Sequence, residues 1–391
     1  MILIAVAAAA WVLAYWIGGK PLYLLAYGAL AVLALAWFVG RRPLPLEGVR
    51  ADMRARVREG EEMSITVALT AQRRLSNLIL EEEVPTMLGE NARLPIATLE
   101  AGESADHAYS LICWRRGSYQ LGPLTARWGD PFGLTERHLE LAERFEVLVH
   151  PRVEPVESHA LTRLWEDPPF RPPVSKPWPH GMEFYGMRRY APGDDLRKIV
   201  WRAYARTGQL LVRESEQGIT DKVVVIVDQD AEQHTKGIVS DSFEALCRVA
   251  ASLGVHHLRE GYSVTLEGTH DRLVGPLRGP SKSIQLLDAL ARIEPARGSL
   301  SEAMGRLLLH IPRDAHVILI TPRLDADAAA RLRLLVDRGM SVLVVALMWI
   351  DEAVDSLASA AGLGVHVVEV GPNTNITMAF RREVAAATVV R

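Results

Sequence analysis

Cysteine is almost missing from this chain: Cys113 and Cys247 are the two in 391 residues, and they lie far apart. That excludes a disulfide framework or a thiolate metal site and fits small buried side chains in a reducing compartment. Neither sign of charge dominates, because 44 basic against 47 acidic side chains leave a net of -3. A nucleic-acid binder usually carries a basic excess, so nucleic acid is not expected as a partner. The motifs of common catalysts are missing too: there is no G-x-x-x-x-G-K-[ST], no G-x-S-x-G and no H-E-x-x-H. "GPSKS" (Gly279 to Ser283) resembles only the tail of a phosphate loop, and Ser281 reads as an N-cap for the following helix. His256, His257 and the other histidines show no ligand spacing, and an enzyme is not expected.

What is present begins with two apolar runs within residues 1–42, "MILIAVAAAAWVLAYWIG" and "PLYLLAYGALAVLALAWFVG", set around Gly18, Gly19, Lys20 and Pro21. Each is close to the roughly 20 residues a helix needs to cross the hydrocarbon core. No basic segment precedes the first run, and cleavage of a signal peptide would leave the second behind. The expectation is a transmembrane helical hairpin with residues 1–40 in lipid. Trp11, Tyr15, Trp16, Tyr23, Trp37 and Phe38 lie near the run ends, where amphipathic rings favour the interface. Arg41, Arg42, Arg50, Arg54, Arg56 and Arg58 follow the second run, whereas the loop offers only Lys20. The positive-inside rule therefore places residues 41 onward in the cytoplasm.

Residues 43–155 read as an all-β sandwich. "SITVALT", "LILEEEV", "HAYSLICW" and "EVLVH" are short and rich in β-formers, with glycines between them at short intervals. "RRGSYQLGP" (Arg115 to Pro123) and "GDPFGL" (Gly129 to Leu134) read as structural turns. In residues 156–187, "EDPPFRPPVSKPWPHG" excludes helix and central strand, leaving a linker or a strap over a surface. The aromatic side chains Trp165, Phe170 and Trp178 favour the strap.

From 221 to 391 strands and helices alternate. "KVVVIVD", "YSVTLEG", "HVILIT", "SVLVVAL" and "VHVVEV" are apolar strands, and helices are expected near Ser242–Arg259, Lys282–Ile293, Leu300–His310 and Ala326–Arg338. This is the pattern of a doubly wound α/β domain, where ligands sit at the carboxyl ends of strands. The first such end carries Asp228, Asp230 and Glu232, which could gather a hard cation such as magnesium or form a solvated acidic loop.

Between these halves, residues 188–220 hold "RRYAPGDDLRKIVWRAYARTGQLLVRESE". Ala191 to Asp194 fits a type II turn, Asp194 or Asp195 can cap a helix running to about Arg206, and Gly208 can end it. Leu196, Ile199, Val200 and Ala203 would form its apolar stripe. Arg188, Arg189, Arg197, Arg202 and Arg206 suit an anionic or acidic partner, while the intermixed carboxylates suit a brace between domains; the charge balance favours the brace.

This string resembles the hallmark region of bacterial membrane proteins carrying domain of unknown function 58. The residues that carry the resemblance are Arg188, Arg189, Tyr190, Pro192, Gly193, Asp194, Asp195, Arg197 and Trp201, followed by Arg206, Arg213 and Glu214. The resemblance extends to the two loops, the hairpin and the α/β half. It implies a C-terminal domain similar to the von Willebrand factor A fold, with a MoxR-type AAA+ ATPase and its client proteins as partners. That fold often carries a metal site beginning D-x-S-x-S. Here Asp228 matches the first position, Asp230 and Glu232 replace the serines, Ser299 lies near the threonine position, and Thr321-Pro322 stand where an aspartate is usual. The expectation is a non-enzymatic, multi-pass adaptor of the bacterial inner membrane with its soluble part in the cytoplasm. Magnesium is the one candidate cofactor, and the competing expectation is a divalent-cation-dependent protein-binding receptor using a degenerate form of that metal site.

Overall fold

The computed structural model describes residues 2–17, 19–40, 44–129, 136–156, 177–178, 183–191, 199–216, 222–237, 240–312, 315–349, 362 and 365–381. The chain forms two compact units, Met1–His150 and Pro151–Arg391.

The first unit opens with α1 (Ile2–Ile17) and α2 (Lys20–Gly40), which pack on each other. Their buried positions are Ala7, Ala10, Ala14, Ala26 and Ala36. Small side chains let two backbones approach closely, and the bulky residues are turned outward. Within α2, Lys20–Phe38 is long and apolar enough to cross a membrane, while α1 is a shorter apolar helix.

The β-rich region that follows contains β1 (Leu46–Asp52), β2 (Arg56–Arg58), β3 (Glu62–Ala71), β4 (Leu75–Glu82), β5 (Ala92–Leu99), β6 (Ser104–Ile112), β7 (Gly117–Leu121), β8 (Leu124–Gly129), β9 (Glu136–Ala142) and β10 (Phe145–His150). They form three sheets, ordered β1-β3-β6, β2-β10-β7 and β5-β4-β8-β9. Along β3, Met63, Ile65, Val67, Leu69 and Ala71 are buried at alternate positions, as the period of a strand requires. The "RRGSYQLGP" stretch supplies β7; most of "GDPFGL" lies outside the described residues.

Arg50, one of the cations that follow the second apolar run, has its side chain buried: its Nε donates to Glu82 Oε1 at 2.8 Å, and Nη1 donates to the Glu143 carbonyl at 2.6 Å. The Tyr109 hydroxyl donates to the other Glu82 oxygen, and the guanidinium lies 4.8 Å from the centre of the Phe145 ring. Gly122, at φ +95°, leaves the space: an added Cβ would stand 2.6 Å from Arg50 Nη2.

In the second unit, residues 151–156 fasten to the α/β core. The Glu154 amide donates to Ser252 Oγ, Glu154 Oε2 accepts from the Ile376 amide, and Val156 is buried in the apolar cluster. β11 (Pro177–Trp178), β12 (Glu183–Arg189) and β13 (Leu211–Glu216) form a small antiparallel sheet in the order β11-β13-β12. The rest of the proline-rich segment lies outside the described residues. Between β12 and β13 stands α3 (Trp201–Thr207).

The main sheet contains β14 (Lys222–Val227), β15 (Ser263–Glu267), β16 (Arg272–Arg278), β17 (His316–Thr321), β18 (Val342–Leu347) and β19 (His366–Val370), in the order β16-β15-β14-β17-β18-β19. All neighbours are parallel except the edge strand β16. The helices are α4 (Asp241–Arg259), α5 (Ser283–Arg292), α6 (Leu300–His310) and α7 (Ala326–Asp337). Val223, Val225 and Val227 pack with α4 and α5; Val224 and Ile226 pack with α6 and α7 on the opposite face. Burial on both faces explains the unbroken apolar run of β14. Ser281 does not cap α5, because a 3-10 turn over Pro280–Lys282 intervenes and Lys282 takes that position.

Candidate functional site

At the carboxyl end of the main sheet, β14 leads to β15 on one side and lies beside β17 on the other. Such a switch of direction leaves a crevice between the central strand ends. Asp228 follows β14 there and is 0% exposed. Its Oδ2 lies 2.7 Å from Thr321 Oγ1 at the end of β17, and its Oδ1 accepts from the Asp230 amide at 3.1 Å. Burial, the main cause, pushes the carboxyl up to about 7, with Asp230 and Asp325 adding to the rise.

The loops around Asp228 are tied together. The Gln229 amide donates to Thr269 Oγ1 at 2.8 Å, Gln229 Oε1 accepts from the Thr269 amide, and the Ala296 amide donates to the Gln229 carbonyl at 2.7 Å. Gly268 allows this, since an added Cβ would fall 2.1 Å from Gln229 Oε1. His234 is buried and its ring is driven towards neutrality by that burial. Nε2 lies 2.8 Å from the Asp228 carbonyl, which only accepts, so the proton is on Nε2 and Nδ1 accepts from Ser242 Oγ at 2.9 Å. Ser242 and His234 are therefore committed to holding the loop on the start of α4.

The other expected cation ligands are used differently. Asp230 Oδ1 accepts from the Glu232 amide at 3.1 Å, a local turn, and the Glu232 side chain is exposed. Ser299 precedes α6, and its hydroxyl pairs with Ser301 at 3.0 Å. Among the described residues, no group of three or more His, Cys, Asp or Glu side chains is placed to hold a metal ion. Asp228 and Thr321 are brought together; sequence reasoning noted both positions but not their bond. It missed Gln229 and Thr269, whose only sequence signal is a polar residue just past an apolar strand, and His234 and Ser242, which carry no such signal.

The arginine-rich string forms a second candidate surface. Arg188 and Arg189 end β12 opposite Val212 and Leu211, and Arg213 and Glu214 lie in β13 opposite Met187 and Gly186. The Tyr190 amide donates to the Leu210 carbonyl. Pro192, Gly193, Asp194, Asp195 and Arg197 lie outside the described residues. The expected helix from Asp194 or Asp195 is corrected at its near end. Ile199 bridges to Val212 and the Val200 amide donates to the Leu211 carbonyl, so strand-like pairing holds the chain until Trp201. Gly208, at φ +66°, ends the helix as expected, its amide donating to the Tyr204 carbonyl. The short helix buries none of its side chains: Trp201 is 62% and Tyr204 44% exposed, their rings edge to face, with Arg202 and Arg206 also exposed.

Comparison with known proteins gives a family. The family model described as "Protein of unknown function DUF58" matches residues 186–390, so α1, α2 and the β-rich region lie outside that match. The uncharacterized protein YeaD of Bacillus subtilis (strain 168) is 24% identical over 273 residues, covering 67% of this chain and 65% of the relative's own length. Among solved structures, the CARDB domain of a Pyrococcus furiosus protein is 18% identical, covering 27% of this chain and 93% of its own, with a TM-score of 0.19. A GH2 beta-galacturonidase from Eisenbergiella tayi is 10% identical, covering 78% and 46%, with a TM-score of 0.18. At those TM-scores neither structural likeness bears on fold or function.

Proposed function

The chain belongs to the DUF58 family, and from that premise we propose a non-enzymatic, membrane-anchored scaffold that docks an acidic protein partner on the face carrying Trp201, Arg202, Tyr204 and Arg206. One observation carries the reading: α3 turns its aromatic and arginine side chains to solvent and buries none of them. Trp, Tyr and Arg are the residues that most often dominate protein interfaces. Charge selects the partner. Residues 187–212 hold six cations (Arg188, Arg189, Arg197, Lys198, Arg202, Arg206) against Asp194 and Asp195, in a chain whose net charge is -3.

In this reading both N-terminal helices enter the membrane of a bacterial cell and the remainder faces the cytoplasm. The orientation rests on Arg41, Arg42, Arg54, Arg56 and Arg58, because Arg50 is spent on Glu82. The partner is a MoxR-type AAA+ ATPase or its client, and the α/β domain is similar to the von Willebrand factor A fold. The strand order and single antiparallel edge strand support that likeness. The non-enzymatic character is supported by the hydroxyls and imidazole near the crevice, which are buried and bonded within the protein. The test is purification of the full chain from solubilised membranes, with ATP, with ADP and without nucleotide. An AAA+ ATPase identified by mass spectrometry in at least one arm is expected; its absence from all three refutes the partner.

A further inference from the structure

The crevice between β14 and β17 is where an open α/β sheet would take a ligand, and the protons there can be counted. Thr321 Oγ1 lies 2.7 Å from Asp228 Oδ2 and also 2.7 Å from the Arg323 carbonyl oxygen. Each distance is that of an O–H···O hydrogen bond, and each needs a proton on the line between its oxygens. The threonine hydroxyl has one, and the carbonyl has none. The Arg323 amide donates to the same Oγ1 at 3.1 Å, which uses a lone pair and supplies nothing to the other two contacts. If Asp228 were ionised, one 2.7 Å contact would face lone pair to lone pair. A proton on Asp228 Oδ2 completes the set: the acid donates to Thr321, Thr321 donates to the Arg323 carbonyl, and Oδ1 still accepts from the Asp230 amide.

We propose that Asp228 is a neutral carboxylic acid that donates its proton to Thr321 and stitches the crevice between β14 and β17 shut, so that the acidic loop is not a cation site.

The surroundings agree from each side. On its own loop, Asp230 and the neutral His234 face Asp228, the ring bonding its carbonyl. From beyond β17, Asp325 repels an added negative charge. Asp325 is itself the N-cap of α7, its Oδ1 accepting from the Ala328 amide at 2.6 Å. On the segment leading to α6 the Ala296 amide is bonded to the Gln229 carbonyl, and the Ser299 hydroxyl is bonded to Ser301 rather than to Asp228. No cation in this set is bonded to the carboxyl group, and a magnesium ion would have to compete there with the proton that completes the Thr321 bond.

The proposal is tested with the full chain in detergent, comparing wild type, Asp228→Asn and Thr321→Ser. Asparagine places an N–H where the acid has its O–H and keeps the oxygen that accepts from Asp230. Expected are a folded Asp228→Asn protein, a protonated-carboxyl infrared band at pH 5 in wild type that disappears in the variant, and no melting shift with millimolar magnesium. Thr321→Ser should keep the band. Overturning results are the absence of that band in wild type at pH 5, or a magnesium-dependent rise in wild-type melting temperature. Should Asp228→Asn not fold, the wild-type magnesium titration and the wild-type band, titrating near pH 7, decide alone.

Discussion

Thr321 Oγ1 and Asp228 Oδ2, 2.7 Å apart, join the ends of the two central strands of the α/β sheet. Because Asp228 is wholly buried, Thr321→Val would leave its carboxyl oxygen without a partner or water. Such an orphaned group costs about 1–3 kcal/mol. Urea denaturation of the full chain should show that loss in Thr321→Val and close to wild-type stability in Thr321→Ser.

The same carboxyl makes stability depend on pH, in a direction opposite to that of a salt-bridged aspartate. Its ordinary value is 3.8 and its folded value about 7, so the unfolded chain releases the proton first. The contribution is full below about pH 4, declines as pH rises towards 7, and is flat above, a fall on the order of 4 kcal/mol between plateaux. Asp228→Asn has no such proton. Its melting temperature, measured from pH 4.5 to 7.5, should therefore fall less with rising pH than that of wild type.

The cluster of Arg50, Glu82 and the half-buried Tyr109 in the β-rich unit gives a third expectation. Glu82→Ala would leave Arg50 charged at 5% side-chain exposure, and breaking one side of a buried pair costs about 3–5 kcal/mol. Tyr109→Phe removes one donor to Glu82 and should cost less, roughly 1–2 kcal/mol. Guanidinium chloride denaturation of the variants ranks the two.

Periodicity made much of this architecture legible. The runs of β14, β17 and β18 are apolar because both sheet faces are covered, α5, α6 and α7 each bury one stripe, and α4 is buried on most of its surface, so their positions could be read from residues alone. Several strands carry no such signal, three of them for a clear physical reason. β9 is mostly charged, β5 contains Pro95, and β16 contains Gly275 and Pro276, compositions tolerated at or near sheet edges. Nothing in the sequence marks Arg50 as buried, because a buried arginine and a solvated one look alike until Glu82 and Tyr109 are placed around it. The extent of α3 was overestimated for a related reason: Ile199 and Val200 fit a helical stripe, but pairing with β13 took them.

The membrane assignment has its own check. Deleting residues 1–42 should move the protein from the carbonate-washed membrane pellet to the soluble fraction, since α2 supplies the apolar length for crossing. Recovery of the truncated chain in the pellet in the same proportion as wild type would show that another surface holds it there.

The scaffold reading is tested most directly by the exposed face of α3. A Trp201→Ala, Arg202→Glu, Arg206→Glu variant changes only side chains that the fold does not bury, so its melting temperature should stay near that of wild type. Quantitative mass spectrometry of affinity-purified full chain from native membranes should then show the AAA+ ATPase reduced about tenfold or more, the scale of losing one interface anchor. Recovery of the ATPase at wild-type level with the variant would contradict docking through α3.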